Sequence, residues 1–231
     1  MDSGSCELIW HGHSCVEVVV PGTRIWFDPF FSGNPLAPDW RTLPAPDLLL
    51  VTHDHGDHLG DGVDIARETE ALCMGVVDMA GLFAENGVPA GRIFGMNFGG
   101  SADYCGVTVS LVPAQHTSGR GAPCGFVLRL PGGPVMYFAG DTAYFSDMKL
   151  IGELYAPDWA FLPFDGRYNM GPDAAALAAR AVGARFVVPI HYGVLPGLPE
   201  RPDAFVEKLA ELYPRAEAVC LRPGEPFVIG G

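Results

Sequence analysis

The segment that most constrains this chain is Thr52-His53-Asp54-His55-Gly56-Asp57-His58, which directly follows the apolar run Leu48-Leu49-Leu50-Val51. Its last six residues carry three imidazoles and two carboxylates. Crowding these groups together costs free energy unless a cation lies among them. The segment therefore favours a divalent metal site over its alternative, a solvated polar loop.

The spacing within this segment suits two neighbouring metal ions. The apolar run predicts a strand that ends at Thr52, and binding residues tend to collect in the loops that follow strands. In extended backbone His53 and His55 point to the same side. Because Asp57 and His58 lie beyond the turn at Gly56, one short loop can serve both ions.

Three further candidate ligands lie where predicted strands end. His116 follows residues 107–113, Asp141 follows residues 136–139 and His191 follows residues 186–190. A lone histidine at a strand end is usually an ordinary residue, but three such strand ends beside a histidine cluster favour ligands. Asp28, at the end of the third predicted strand, is interpreted as a carboxylate that orients a ligand histidine from behind.

The donor set describes a catalytic site rather than a closed structural one. Five histidines and two aspartates suffice for two metal ions with positions left for water, and no cysteine is spaced to join them. We expect two divalent ions. Zinc is the first choice, and manganese and iron(II) are alternatives that accept the same nitrogen and oxygen donors.

Composition predicts one folded domain covering residues 1–231. Hydrophobic residues make up 48% of the chain and charged residues 18%, which excludes a disordered protein. No apolar run is long enough to cross a membrane, and residues 1–10 lack the basic start and apolar stretch of an export signal. We expect a soluble, cytoplasmic protein whose six cysteines are reduced.

The net charge of −13 argues against nucleic acid as a partner, because binding a phosphate backbone requires clustered lysine and arginine. Two divalent ions would offset this charge locally by about +4. We therefore expect a small-molecule substrate, anionic in character, with no nucleic acid and no membrane as partners. A homo-oligomer stays open.

The order of predicted elements indicates an α/β fold. Strands are predicted at 7–10, 15–20, 24–28, 71–75, 107–113, 125–130, 135–139, 159–163, 185–190, 218–221 and 227–229, and helices at 62–68, 77–86, 146–155, 172–182 and 202–213. Strands come first and helices alternate with strands later, which predicts two facing sheets with helices outside, a four-layer αββα sandwich. The proline-rich segment 29–47 is interpreted as a lid or pocket wall, with a packed surface loop as its equal alternative.

The pattern as a whole resembles the metallo-β-lactamase superfamily. The resemblance covers the chain and rests on His53-x-His55-x-Asp57-His58, His116, Asp141 and His191, preceded by Asp28. A narrower resemblance, to small metal-dependent hydrolases related to L-ascorbate 6-phosphate lactonases, rests on Gly12-His13-Ser14, Asp28-Pro29-Phe30, Ser32-Gly33-Asn34-Pro35, Gly95-Met96-Asn97, Gly140-Asp141-Thr142, Met170-Gly171-Pro172 and His191-Tyr192.

The resemblance implies the αββα sandwich and a ligand set. His53, His55 and His116 would hold one metal ion. Asp57, His58 and His191 would hold the other. Asp141 would bridge the two. The chain departs from the family pattern at Asp54, which we expect to face water, and at residues 164–169, where Gly-Asp-x-Phe-Thr is expected. These departures leave the metals unaffected but weaken any inference about the substrate.

The resulting hypothesis is a metal-dependent hydrolase whose dinuclear-metal-bound hydroxide attacks a small ester, lactone or phosphoester, with Asp57 orienting or deprotonating the water. Arg120, Arg167 and Tyr168 are candidate substrate-binding residues, with ordinary surface exposure as the alternative. His13, which the resemblance places near the cleft, would contact the substrate or a carboxylate that orients a ligand from behind, with packing or a turn hydrogen bond as the alternative. Alternatives are a phosphodiesterase or nuclease of the same fold and a non-hydrolytic metal-binding or redox protein.

Overall fold

Residues 6–229 are the part of the chain that the computed structural model describes, and they form fourteen β-strands and six α-helices. The strands are β1 (Cys6–Trp10), β2 (Val16–Val20), β3 (Thr23–Phe27), β4 (Leu48–Leu50), β5 (Leu72–Val76), β6 (Ile93–Met96), β7 (Ser101–Tyr104), β8 (Val107–Pro113), β9 (Cys124–Arg129), β10 (Val135–Phe138), β11 (Trp159–Pro163), β12 (Phe186–Ile190), β13 (Glu217–Ala218) and β14 (Phe227–Ile229). The helices are α1 (Gly56–Leu59), α2 (Gly62–Glu68), α3 (Val77–Glu85), α4 (Met148–Tyr155), α5 (Pro172–Val182) and α6 (Asp203–Leu212). The prediction about an export signal lies in part outside this range, since it includes residues 1–5.

Within this range the strands form two mixed sheets of seven. The first has the order β14-β1-β2-β3-β4-β5-β6 and the second β13-β12-β11-β10-β9-β8-β7. Buried aromatic side chains join the two sheets: Phe27 on β3 stacks on Phe138 of β10 with ring centroids 4.4 Å apart and meets the edge of Phe126 on β9 at 6.1 Å. The main core therefore lies between the sheets, where apolar burial stabilises both.

Helices cover the outer faces. Helix α3 packs against β5 and β6, while α5 contacts β11, α4 and α6. Helix α5 begins with Pro172 in its first turn and ends at Gly183, whose φ of 77° terminates the helix. Its buried alanines let it approach the sheet closely. The predicted four-layer αββα sandwich is confirmed.

Strand direction explains why distant residues meet at one edge. In the first sheet β1, β3 and β4 run the same way, since β2 is antiparallel to both β1 and β3, and β4 is parallel to β3. In the second sheet β8, β10, β11 and β12 share one direction. A histidine or aspartate of the site follows each of these seven strands within three residues. In the order β1, β3, β4, β8, β10, β11 and β12, these residues are His13, Asp28, His53, His116, Asp141, Asp165 and His191.

Several local predictions need correction. Strands β6 and β7 and the short helix α1 were not predicted, and β13 occupies Glu217–Ala218 rather than residues 218–221. Segment 29–47 contains a 3-10 helix at Trp40–Thr42. The segment is both a packed loop and a pocket wall, because Phe31 and Trp40 pack into the core while Phe30 lines a cavity.

All six cysteines are unpaired and four are buried. None of the helices in residues 6–229 is long and apolar enough to cross a membrane.

Candidate metal centre

The structure brings all seven sequence-predicted ligands together at the shared strand edge. Three overlapping groups of side chains place one ligand atom each within 4.8 Å of one another. The groups are His53, His55 and His116; His53, His58 and Asp141; and His13, Asp57, His58 and His191. The first and third groups correspond to the two metal positions implied by the resemblance, with His13 as an addition.

Asp141 lies between the two positions. Its Oδ1 is 3.2 Å from Nε2 of His58, and its Oδ2 is 3.2 Å from Nε2 of His191 and 3.5 Å from Nε2 of His116. The carboxylate thus contacts ligands of both groups, as a bridging ligand must. It is buried, with 3% of its surface exposed.

The unpartnered polar atoms of the cluster fit a metal centre. Nε2 of His58, Nε2 of His191 and Oδ1 of Asp141 are buried without a hydrogen bond of regular geometry. Leaving such groups unsatisfied costs about 1–3 kcal/mol each. Imidazole nitrogen and carboxylate oxygen are the donors that zinc, manganese and iron(II) accept, so a bound cation would satisfy all three atoms.

The charges of the cluster also favour a cation. Burial raises the pKa of Asp141, but His58 and His191 outweigh burial and hold it well below its usual range. Burial lowers the pKa of His58, whereas Asp141 and Asp28 more than compensate and raise it to about 10. Without metal this imidazole holds a proton, which must leave when a metal ion binds. Burial and the neighbouring His58 lower the pKa of His53 to about 2, which keeps it neutral as a ligand.

Asp28 lies behind the ligands, where the sequence places it. Its Oδ2 is 2.7 Å from Nδ1 of His58, and its two oxygens accept hydrogen bonds from the backbone N–H and the hydroxyl of Thr52, both at 2.8 Å. The carboxylate fixes the orientation of the His58 ring. Asp28 has a φ of 42°, a strained backbone conformation of the kind that clusters at functional sites.

His13 does not reach the substrate cavity, which corrects one of its two predicted roles. Its side chain is fully buried, and Nε2 lies 2.9 Å from Oδ2 of Asp57. Its carbonyl accepts a hydrogen bond from the backbone N–H of His191 at 3.0 Å, and the two rings are tilted with centroids 3.9 Å apart. His13 contacts the carboxylate of Asp57, which is itself a candidate ligand rather than a carboxylate behind the ligands, so the other predicted role is not met as stated.

Asp165 is a site residue that sequence reasoning missed. Its Oδ2 lies 3.1 Å from Nδ1 of His191, and its side chain is fully buried. Asp165 follows β11 as Asp141 follows β10 and His191 follows β12. The position at a strand end, which identified the candidate ligands, could therefore have identified Asp165 as a site residue. Its segment was interpreted only as a departure from the family pattern.

Asp54 is partly exposed, and one of its two oxygens is hydrogen-bonded within the protein. Its Oδ1 accepts hydrogen bonds from the Ser118 hydroxyl at 2.9 Å and from the Gly119 backbone N–H at 2.7 Å. The carboxylate therefore joins the histidine loop to the loop that follows His116.

A cavity of about 610 Å³ opens above the cluster. It is lined by Phe30, His55, Gly56, Asp57, His116, Thr117, Asp141, Tyr168, His191 and Leu195. Tyr168 is thus present as predicted. Arg120 instead makes two hydrogen bonds to the Glu85 carboxylate at 2.8 and 2.6 Å, and the Arg167 guanidinium lies 4.9 Å from the Tyr168 ring centroid. Neither arginine lines the cavity.

This fold and cluster define a metal-dependent hydrolase of the metallo-β-lactamase superfamily. The sequence model of the beta-lactamase superfamily domain matches residues 23–192. The chain is 41% identical over 227 residues to a UPF0173 metal-dependent hydrolase of Nitratidesulfovibrio vulgaris (strain DP4), with 96% of this chain and 95% of that protein covered. A UPF0173 metal-dependent hydrolase of Methanopyrus kandleri is 40% identical over 230 residues, covering 96% and 99%.

A solved structure agrees with these relatives. Igni18, a metallo hydrolase from the archaeon Ignicoccus hospitalis, superposes with a TM-score of 0.89 and 34% identity over 98% of this chain and 99% of that chain. The chain belongs to the UPF0173 metal-dependent hydrolases within the beta-lactamase superfamily.

Proposed function

We propose that this chain uses two divalent metal ions, zinc in the first place and manganese or iron(II) as alternatives, to hydrolyse a small ester, lactone or phosphoester. The observation that carries the proposal is a set of buried, unpartnered ligand atoms beneath a cavity of about 610 Å³. A cavity of this size accommodates a small molecule.

The groups of neighbouring side chains suggest how the candidate ligands divide between two metal ions. His53, His55 and His116 would hold one ion. Asp57, His58 and His191 would hold the other. Asp141 would touch both. When bound, the ions lower the pKa of a water molecule towards ~7 and polarise the substrate oxygen that receives charge.

Asp57 is the carboxylate placed to orient that water. Its side chain is 24% exposed and lines the cavity, whereas Asp141 is only 3% exposed. Burial raises the pKa of Asp57, but the contacts of its carboxylate with His13 at 2.9 Å and His191 at 3.6 Å outweigh burial and hold the pKa below its usual range. Because a carboxylate with so low a pKa is a weak base, its role is to accept a hydrogen bond from the water and aim it.

The cavity wall indicates a substrate with an apolar portion. Phe30, Tyr168 and Leu195 supply apolar surface, and among the described residues no lysine or arginine lines the cavity. An anionic group on the substrate would therefore be held by the metal ions rather than by a guanidinium clamp. The net charge of −13 opposes a long polyanion, which favours a small substrate over RNA.

A substrate panel combined with metal analysis tests the proposal. We expect two metal ions per chain, turnover of lactones, phosphorylated lactones, simple esters or phosphodiesters above any cleavage of RNA, and loss of that turnover on chelation with recovery on adding zinc. Rapid metal-dependent cleavage of a tRNA precursor at physiological salt would identify a nuclease instead. Full activity of metal-free protein would refute the proposal.

A further inference from the structure

We propose that Asp165 and Asn169 are positioning residues that hold His191, Asp141 and His116 in one frame of polar contacts and fix the cavity wall at Tyr168 through the same contacts. The inference rests on the proposed metal centre. Both residues lie in segment 164–169, where this chain departs from the pattern of the family it resembles.

Both oxygens of the Asp165 carboxylate accept hydrogen bonds. Oδ1 accepts hydrogen bonds from the backbone N–H groups of Arg167 at 2.9 Å and Tyr168 at 2.7 Å. Oδ2 accepts from Nδ2 of Asn169 at 2.8 Å and lies 3.1 Å from Nδ1 of His191. An ionised carboxylate offers about four acceptor positions. Three N–H groups donate to this one, and Nδ1 of His191 lies close to the same carboxylate.

Asn169 extends the frame to the other ligand-bearing segments. Its Oδ1 accepts a hydrogen bond from the backbone N–H of Thr142 at 2.9 Å, directly after Asp141. The Thr142 hydroxyl oxygen accepts in turn from the backbone N–H of Gln115 at 3.0 Å, directly before His116. Three ligands that follow three different strands are thus connected by a continuous chain of polar contacts.

The backbone of the segment is shaped for this role. Gly166 has a φ of 73°, a conformation that glycine adopts readily, and its N–H donates to the Met170 carbonyl at 3.0 Å. The resulting turn aims the next two N–H groups at Asp165. Because Tyr168 lines the cavity, one carboxylate fixes both a metal ligand and the substrate wall.

The substitution Asp165→Asn separates this role from simple space filling. An amide has nearly the shape of a carboxylate, but only its oxygen accepts, while its nitrogen donates. With N–H donors on both sides, the amide must turn its NH₂ either towards His191 and Asn169 or towards the Arg167–Tyr168 backbone. The frame is therefore broken on one side in either orientation.

Asp158→Asn is the matched control. Asp158 precedes β11 at the end opposite to Asp165, and its Oδ2 likewise accepts a backbone hydrogen bond, from Val135 at 2.8 Å. It has no contact with the metal cluster. Asn169→Ala is a second test variant, which keeps Asp165 and removes only the connection to Thr142.

The experiment measures zinc binding to the metal-free full chain by competition with a chelator, together with the visible absorption of the cobalt(II)-substituted protein. Loss of a residue that supports a metal ligand typically lowers metal affinity by 10–100-fold. We expect Asp165→Asn to weaken at least one zinc ion by about that factor and to change the cobalt spectrum. We expect Asn169→Ala to act in the same direction and Asp158→Asn to match the wild type in both measurements.

Two results would count against different statements. Wild-type zinc affinity and an unchanged cobalt spectrum in both Asp165→Asn and Asn169→Ala would overturn the positioning role and leave the proposed hydrolase intact. If Asp165→Asn does not fold, wild-type behaviour of Asn169→Ala alone overturns the frame. A wild-type chain that binds no zinc, manganese or iron(II) would overturn the proposed function and this inference together.

Discussion

The imidazole of His13 and the carboxylate of Asp57, which are 44 residues apart in the chain, lie 2.9 Å from each other. His13 follows β1 of the first sheet and also accepts a backbone hydrogen bond from His191, which follows β12 of the second. The contact therefore supports Asp57, a proposed metal ligand, where the two sheets meet. Both His13 and His191 have positive φ, at 55° and 66°, a strain that the surrounding packing must sustain.

Replacing His13 with phenylalanine tests this support. The ring would keep most of its volume but lose the nitrogen that contacts Asp57. We expect kcat to fall by about 10–100-fold with a smaller change in KM, because Asp57 would lose the partner that orients it. Steady-state kinetics at saturating zinc provide the measurement.

His11→Gln is the control for His13→Phe. His11 is equally buried, but its Nε2 contacts Glu17 at 2.9 Å, away from the metal cluster. We expect it to change thermal stability with little effect on kcat. Equal losses of kcat in the two variants would assign His13 to packing alone.

The proposed bridging role of Asp141 predicts that its loss has a larger effect than the loss of Asp54. Asp141→Ala should remove a ligand of both ions and lower kcat by more than the ~100-fold that the loss of an outer partner costs. Asp54→Ala removes only two hydrogen bonds to the loop at residues 118–119, which are worth about 1 kcal/mol each. We expect its melting temperature to fall by a few degrees while most of kcat is retained.

Metal content and kinetics of these two variants decide the ligand assignment. Asp141→Ala should bind fewer than two ions per chain, and Asp54→Ala should bind two. If both variants behave alike in metal content and in kcat, one of the two assignments is wrong.

How much of the site is readable from the sequence depends on how local its contacts are. The clustering of the seven candidate ligands was predictable because they follow four strands, and strands that run in one direction bring their carboxyl ends to one edge. The contacts of Asp54 with Ser118 and Gly119 were not predicted because these partners lie 64 and 65 residues away. The Glu85 partner of Arg120 is likewise 35 residues away. No periodic pattern encodes such pairs.

The strands likewise differ in how well the sequence predicts them. Core strands such as β8 and β11 were predicted with correct bounds. Every residue of β11 is buried and apolar, and β8 buries five of its seven residues, most of them apolar. Strands β6 and β7 lie at sheet edges and expose half of their residues. Their pairing with one neighbour, rather than their sequence, makes them strands.

Tyr168 predicts a selective effect on substrate binding. Its side chain is 52% exposed and lines the cavity, whereas its backbone N–H is held by Asp165. Tyr168→Ala should raise KM more than it lowers kcat, because it removes apolar wall without touching a ligand. Tyr144→Ala, at a tyrosine that is 45% exposed and does not line the cavity, is the matched control.

For Arg120, in contrast to Tyr168, we expect no effect on substrate binding. Since Arg120 is paired with Glu85, Arg120→Ala should leave KM unchanged for charged and neutral substrates alike. A selective rise in KM for anionic substrates in this variant would show that the ion pair opens to bind them.

The buried His58 predicts how the stability of the metal-free protein depends on pH. Burial lowers its pKa, but Asp141 and Asp28 outweigh burial and raise it from the ordinary 6.5 to about 10. The folded chain therefore binds this proton more tightly than the unfolded chain. Its contribution to stability is complete below pH 6.5 and is lost as the pH rises towards 10. The pKa of His191 is also raised, against the effect of burial, by Asp141, and its contribution has the same sign.

We accordingly expect the free energy of unfolding of chelator-treated protein, measured by urea titration, to fall between pH 6.5 and 10. His58→Gln should flatten this dependence. Saturating zinc should remove it, because the metal ion takes the place of the proton, and zinc affinity should rise with pH over the same range. Chelated wild-type protein whose stability is constant or rises across this window would show that His58 is not protonated between its two carboxylates.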